Sequence, residues 1–198
     1  MKKKLKFKKL LNEYRSLTYE KKYVEAILKD WNLIFDIYYS EYCEKFAVNV
    51  ENLNEKNSKK VDKLFKDQRA LSKGIEKQQR KKEFDSKSLF RQIARKFHPD
   101  KIDTDDPRKS EYEEVFKKAA NAIDNAKWGE LFTVADEYDL DLRDYDQVIE
   151  CLRLDIKRVS KEIEGKKSTY AWLLYECEED EPCKQNVVKR FLKHLFNI

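Results

Sequence analysis

The feature that most constrains the fold is a heptad pattern near the start of the chain. Leu10, Tyr14, Leu17, Val24, Leu28, Trp31, Phe35, Tyr38 and Tyr42 follow one another at alternating spacings of four and three, and Lys21 fills the one vacant position. Such a run puts every apolar side chain on one stripe of a long helix. The stripe must be covered, by the protein's own core or by another copy, because a face that apolar does not stay in water. A second seam runs through Leu142, Tyr145, Ile149, Leu152, Ile156, Val159 and Ile163, with Gly165 expected to stop it. The two seams are expected to pack against each other, in one chain or between two.

Composition extends the helical reading to the whole chain. Among 198 residues there are only 3 Gly and 3 Pro, so few positions break a helix. Charged residues make up 41%, a load that could mean disorder. Against that, 40% of the chain is hydrophobic and 13% aromatic, more than disordered segments carry. The fold class expected is therefore all-α. Between the seams, Leu89, Phe90, Ile93, Ala94 and Phe97 mark a helix opened by Asp85-Ser86-Lys87-Ser88 and closed by Pro99. Tyr112, Val115, Phe116, Ala119, Ala122 and Ile123 mark the next, with Ser110 as its expected cap. A short helix over Trp128 to Tyr138 turns Leu131, Phe132 and Ala135 inward, and a last one carries Val187, Val188, Phe191, Leu192, Leu195 and Phe196. Tyr170 to Tyr175 form an aromatic patch of unassigned form.

The net charge of +5 is unevenly spread. Lys56 to Lys101 hold 16 basic against 6 acidic residues, and Ile102 to Glu150 hold 6 against 15. The basic block suits an acidic partner. Nucleic acid is disfavoured as that partner, because aromatics for base stacking are few there and the acidic block repels phosphate. The four cysteines include no Cys-x-x-Cys pair, and neither His98 nor His194 stands at zinc spacing from one. They read as reduced thiols of a cytoplasmic protein. No secretory leader pattern or membrane-span pattern occurs. No Gly-rich phosphate loop, metal constellation or nucleophile–base pair is visible, so no enzyme, metal or cofactor is expected.

The informative stretch is Leu89-Phe90-Arg91-Gln92-Ile93-Ala94-Arg95-Lys96-Phe97-His98-Pro99-Asp100-Lys101. An aromatic, an Ile-Ala pair and a second aromatic stand at fixed offsets before His-Pro-Asp. After the loop come Phe116-Lys117, then Ala119, then Ala122-Ile123. This resembles the second and third helices and signature loop of the J domain, the DnaJ family, over roughly Ser86 to Ala126. The resemblance implies a J-domain-like antiparallel hairpin with Phe116 packed between its helices. It implies a co-chaperone that docks on a DnaK-type heat-shock ATPase and stimulates its ATP hydrolysis. The residues implied to meet that partner are His98, Pro99, Asp100, Lys101, Arg91, Arg95, Lys96, Phe116 and Lys117.

The chain departs from the family pattern in two places. The usual first helix is missing, and only the basic segment Val61 to Glu83 could replace it. The fourth-helix Gln-Lys-Arg run is replaced by Trp128-Gly129-Glu130-Leu131. The layout is similar to small bacterial and tailed-phage J-domain proteins with coiled-coil flanks, which would place a phage-encoded chain in the host cytoplasm. Four segments are expected: an N-terminal coiled-coil helix (1–47), a linker (48–60), a J-domain-like domain (61–141), and a coiled-coil helix with an aromatic tail (142–198). The alternative is a structural adaptor in which the heptad helices do the work and the hairpin is degenerate. Self-association through the heptad helices stays open in either case.

Overall fold

The computed structural model describes residues 2–49, 86–103 and 105–196. Within them it is all-α: seven α-helices and no strand. They are α1 (Lys2–Lys45), α2 (Lys87–Phe97), α3 (Lys109–Asp124), α4 (Trp128–Glu137), α5 (Tyr145–Lys167), α6 (Tyr170–Glu176) and α7 (Glu181–Phe196), with a 3-10 turn at Pro99–Lys101. The expected linker beyond Asn49, the basic segment 61–83 and Asp85 lie outside the described residues.

The chain forms two compact units, each built from two separate stretches of it. The first combines α1 up to Tyr19 with α2, α3, α4 and α5 up to Ser160. The second combines α1 from Glu20 onward with the end of α5 and helices α6 and α7.

In the first unit the apolar stripes meet as their spacing dictates. Leu89, Ile93 and Phe97 of α2, Val115, Ala119 and Ala122 of α3, and Leu131, Phe132 and Ala135 of α4 are all buried. Alanine at two facing positions of α3 lets its neighbours approach closely. The start of α1 joins this core: Phe7 meets Phe132 edge-on at 6.3 Å and Tyr145 at 5.7 Å. Arg15 bonds Asp136 at 3.1 Å, and Lys3 pairs with Asp146.

Most of the N-terminal seam is buried, and ion pairs join α1 to α5 in the same chain. Within the first unit Lys3 lies beside Asp146. Within the second, Lys21 reaches Glu162 at 2.5 Å and Glu25 reaches Lys166 at 3.3 Å. In these last two pairs the residue numbers rise together, so α1 and α5 run parallel within the second unit. Lys21, the one charge on the seam, is thereby paired. The upper part of the seam takes a different partner. Phe35 packs edge-on against Phe191 of α7 at 5.1 Å, and Trp31 against Tyr175 of α6 at 5.4 Å. The aromatic patch is thus the helix that completes the second unit.

Several local expectations are corrected. Gly165 does not stop α5, which runs on to Lys167; its φ is not positive and no atom lies within 4 Å of where a Cβ would sit. The stop comes from Ser168 and Thr169, where the Thr169 hydroxyl accepts the Trp172 amide at 3.4 Å and caps α6 instead. Ser110 lies inside α3 and caps nothing; Arg108 is the cap residue, its amide bound to the Asp106 carboxylate at 2.7 Å. Ser86 stands at the start of α2 but makes no side-chain cap. The cysteines are not all reduced: Cys177 and Cys183 form a disulfide across the turn between α6 and α7, with Cα atoms 5.6 Å apart. Cys43 and Cys151 are free and buried. No helix among the described residues is long and apolar enough to cross a membrane.

Candidate functional site

Helix α2 ends where the sequence requires. Proline disfavours helical geometry in the residue before it, and His98 is extended at φ −65°, ψ 130°. Its amide still bonds the Ala94 carbonyl at 3.2 Å, the last link of the helix. Pro99, Asp100 and Lys101 then make one 3-10 turn, closed by the Lys101 amide on the His98 carbonyl at 2.9 Å.

The His98 ring caps that turn. Its Nδ1 accepts the Asp100 amide proton at 3.3 Å, which requires a bare Nδ1 and a proton on Nε2. The Asp100 carboxylate lies 3.6 Å from the same nitrogen, beyond hydrogen-bonding length. The backbone contact therefore sets the ring's orientation. On its other side the ring meets Phe116 edge-on at 5.1 Å. Phe116 also stacks obliquely on Phe90 at 5.8 Å, so it lies between the two helices and beneath the loop. His98 is half-buried, not the fully exposed tip that a loop position suggests, while Asp100 and Lys101 are exposed.

Two ring contacts fix the direction of the pair. Phe97, at the end of α2, meets Tyr112, near the start of α3, at 5.3 Å. Phe90, near the start of α2, meets Phe116, further along α3. The helices therefore run antiparallel with His98-Pro99-Asp100 in their connection.

The charged residues of α2 divide into two groups. Arg91 and Arg95 are exposed and have no ion-pair partner among the described residues. Lys96 is exposed as well, but its ammonium donates to the Tyr138 carbonyl at 3.2 Å and lies 5.6 Å from the Phe97 ring centre and 5.7 Å from that of Tyr138. It ties α2 to the end of α4 and is not a free charge. Gln92 acts beside it: its amide accepts the Asp141 amide proton at 2.9 Å and donates to the Asp141 carbonyl at 3.0 Å. Nothing in the sequence marks Gln92, because a polar residue at a flank position looks like solvated surface until the loop it grips is placed. Lys117 is exposed next to Phe116.

A third element braces the hairpin. Phe97 packs edge-on against Tyr138 at 4.6 Å, and the Tyr138 hydroxyl donates to Glu111 at 2.9 Å. Beyond it, the buried Asp155 of α5 accepts the Gly129 amide proton at 2.6 Å and pairs with Arg158 at 2.9 Å. Its carboxylate thus sits at the positive end of α4, where a helix favours negative charge. The Trp128-Gly129 pair is the α4 start that this carboxylate holds. Among the described residues no three His, Cys, Asp or Glu side chains converge to hold a metal ion. Neither a family model, a curated protein nor a solved structure matches the chain.

Proposed function

We propose that the chain is a co-chaperone whose α2–α3 hairpin works as a J domain, docking on a DnaK-type heat-shock ATPase and speeding its ATP hydrolysis. The observation that carries this reading is the intact His98-Pro99-Asp100 turn in the connection of two antiparallel helices, beside Arg91 and Arg95, which are exposed and have no ion-pair partner among the described residues. Exposed guanidinium groups suit an acidic surface, and charge complementarity of that kind mainly speeds and orients encounter. The hairpin itself makes or breaks no bond; hydrolysis belongs to the partner. Lys96 and Phe116 act on this reading from within, by bracing α2 and by seating the loop.

The test is single-turnover ATP hydrolysis by the chaperone with and without this protein. The wild type is expected to raise the rate. Asp100→Asn is expected to abolish the rise while the helical circular dichroism stays unchanged, because Asp100 is exposed. His98→Gln should do the same with a small loss of stability, since it removes the contact with Phe116. Arg91→Ala with Arg95→Ala should weaken docking roughly tenfold, at about 0.7 kcal/mol for each exposed charge pair, and added salt should weaken the wild type in the same way. Equal rates with wild type and Asp100→Asn, across several chaperones including the natural host's, would sink the reading in favour of the adaptor.

A further inference from the structure

Helix α1 carries a second apolar stripe, on a different face from its buried seam. Tyr23, Ala26, Asp30, Leu33 and Ile37 follow at spacings of three and four, with Ile34 on the flank. The buried seam at this level is Val24, Leu28, Phe35 and Tyr42. The second stripe is open to solvent: Leu33 is 64% exposed, Tyr23 58%, Ile37 51% and Ile34 40%. Scattered exposed apolar residues need no explanation, but a row of them at heptad spacing is the pattern of an interhelical seam.

The charges within the stripe say what could cover it. Asp30 sits at its centre with Lys29 on its flank, and neither has an ion-pair partner among the described residues. A parallel pair of α1 helices would set Asp30 against the Asp30 of the other copy, which like-charge repulsion opposes. An antiparallel pair centred between Ala26 and Asp30 avoids this. It sets Tyr23 of one copy against Leu33 of the other, and each Asp30 against a small Ala26. There the carboxylate has room, with the other copy's Lys29 of opposite charge close by. The stripe is therefore complementary to itself about a two-fold axis, the property an isologous dimer interface needs.

We propose that the protein forms a homodimer through this face, with the two α1 helices antiparallel and the Lys29–Asp30 pairs at the two-fold axis. The seam of the dimer is thus not the heptad seam most evident in the sequence, which is consumed inside each chain. The proposal does not depend on the co-chaperone reading, since neither His98 nor Arg91 takes part.

Sedimentation velocity of the full chain at high micromolar concentration is the first test. The wild type should run at twice the 23.9 kDa chain mass. Leu33→Lys with Ile37→Lys should run as a monomer with unchanged helical circular dichroism, because both side chains already face solvent. A monomeric wild type, or a dimer that survives the double change, overturns the proposal. Orientation is read by oxidising a mixture of Tyr23→Cys and Leu33→Cys chains, whose other thiols are buried or already bonded. The antiparallel pair gives the mixed cross-link between positions 23 and 33. A link between position 33 of both chains, in its place, overturns the orientation.

Discussion

Gly129 is where a single atom would be felt most. A Cβ built there would stand 2.4 Å from Cζ of Tyr14 and within 2.7 Å of both neighbouring ring carbons. The obstacle is the body of a buried ring, which cannot swing aside as a lysine tip can. Gly129→Ala should therefore cost about 1–3 kcal/mol, the usual penalty of overpacking, measured as a lower urea midpoint at constant slope. Asp155→Ala should cost more, about 3 kcal/mol. It strips the α4 start of its acceptor and leaves Arg158, whose Nε is already buried without a partner, short of its counter-charge. Neither effect was legible in the sequence. A glycine in a Trp-Gly-Glu run and an aspartate on a heptad helix look ordinary until α1, α4 and α5 are stacked. The turn at His98-Pro99-Asp100 was legible, because a proline ends the helix before it, whereas the place of Phe116 between the two helices was implied only by the J-domain resemblance.

At the scale of the helix, the short supply of glycine shows in how the helices end. Ala47, Ala126 and Asp139 follow α1, α3 and α4 in the left-handed conformation, at φ 53°, 51° and 50°. At each, the next amide reaches back five residues: Val48 to Cys43 at 2.9 Å, Lys127 to Ala122 at 2.7 Å, and Leu140 to Ala135 at 2.8 Å. This is the closure that glycine usually supplies, and an L-residue there pays about 1 kcal/mol for its Cβ. Ala126→Gly should accordingly stabilise the protein by about 1 kcal/mol in denaturant unfolding. The α6–α7 turn is held differently, by the Cys177–Cys183 disulfide across a sequence separation of 6. Cys183→Ser should cost about 2 kcal/mol, the loop-closure entropy of so short a ring, and reductant should lower the wild type to meet the variant. Helix existence was readable because the 3.6-residue period and the lack of breakers agree everywhere. The stops were less so. Gly165 is read through, since its neighbours keep their helical bonds, while three real ends lie at Ala47, Ala126 and Asp139, which carry no such signal. The disulfide escaped because two cysteines six apart look unpaired until two helices fold back on each other.

Across the whole molecule, the 11 tyrosines are the most telling titratable groups, because several sit in the cores or at their edges. Burial, then the charges of Asp155 and Glu130, pushes the Tyr14 phenol up to about 12. Burial, then the neighbouring Cys43, does the same for Tyr39, up to about 12. Tyr138 also reaches about 12, through burial first and then its bond to Glu111. Tyr38 is raised as well, by burial and then by its bond to Glu181. In each case the folded state holds the proton more tightly than the unfolded chain, whose phenols titrate near 10. The stability these groups contribute is therefore complete below pH about 10, and is lost as pH rises through about 12. Tyrosinate absorbance should show a late group rising together with the loss of helical circular dichroism. Tyr14→Phe keeps the ring over Gly129 but has no proton to lose, so it should move the alkaline midpoint upward while leaving neutral stability nearly unchanged. An unshifted alkaline midpoint in Tyr14→Phe would show that this phenol does not drive the transition, and the same substitution at Tyr138 and Tyr39 would then identify which does.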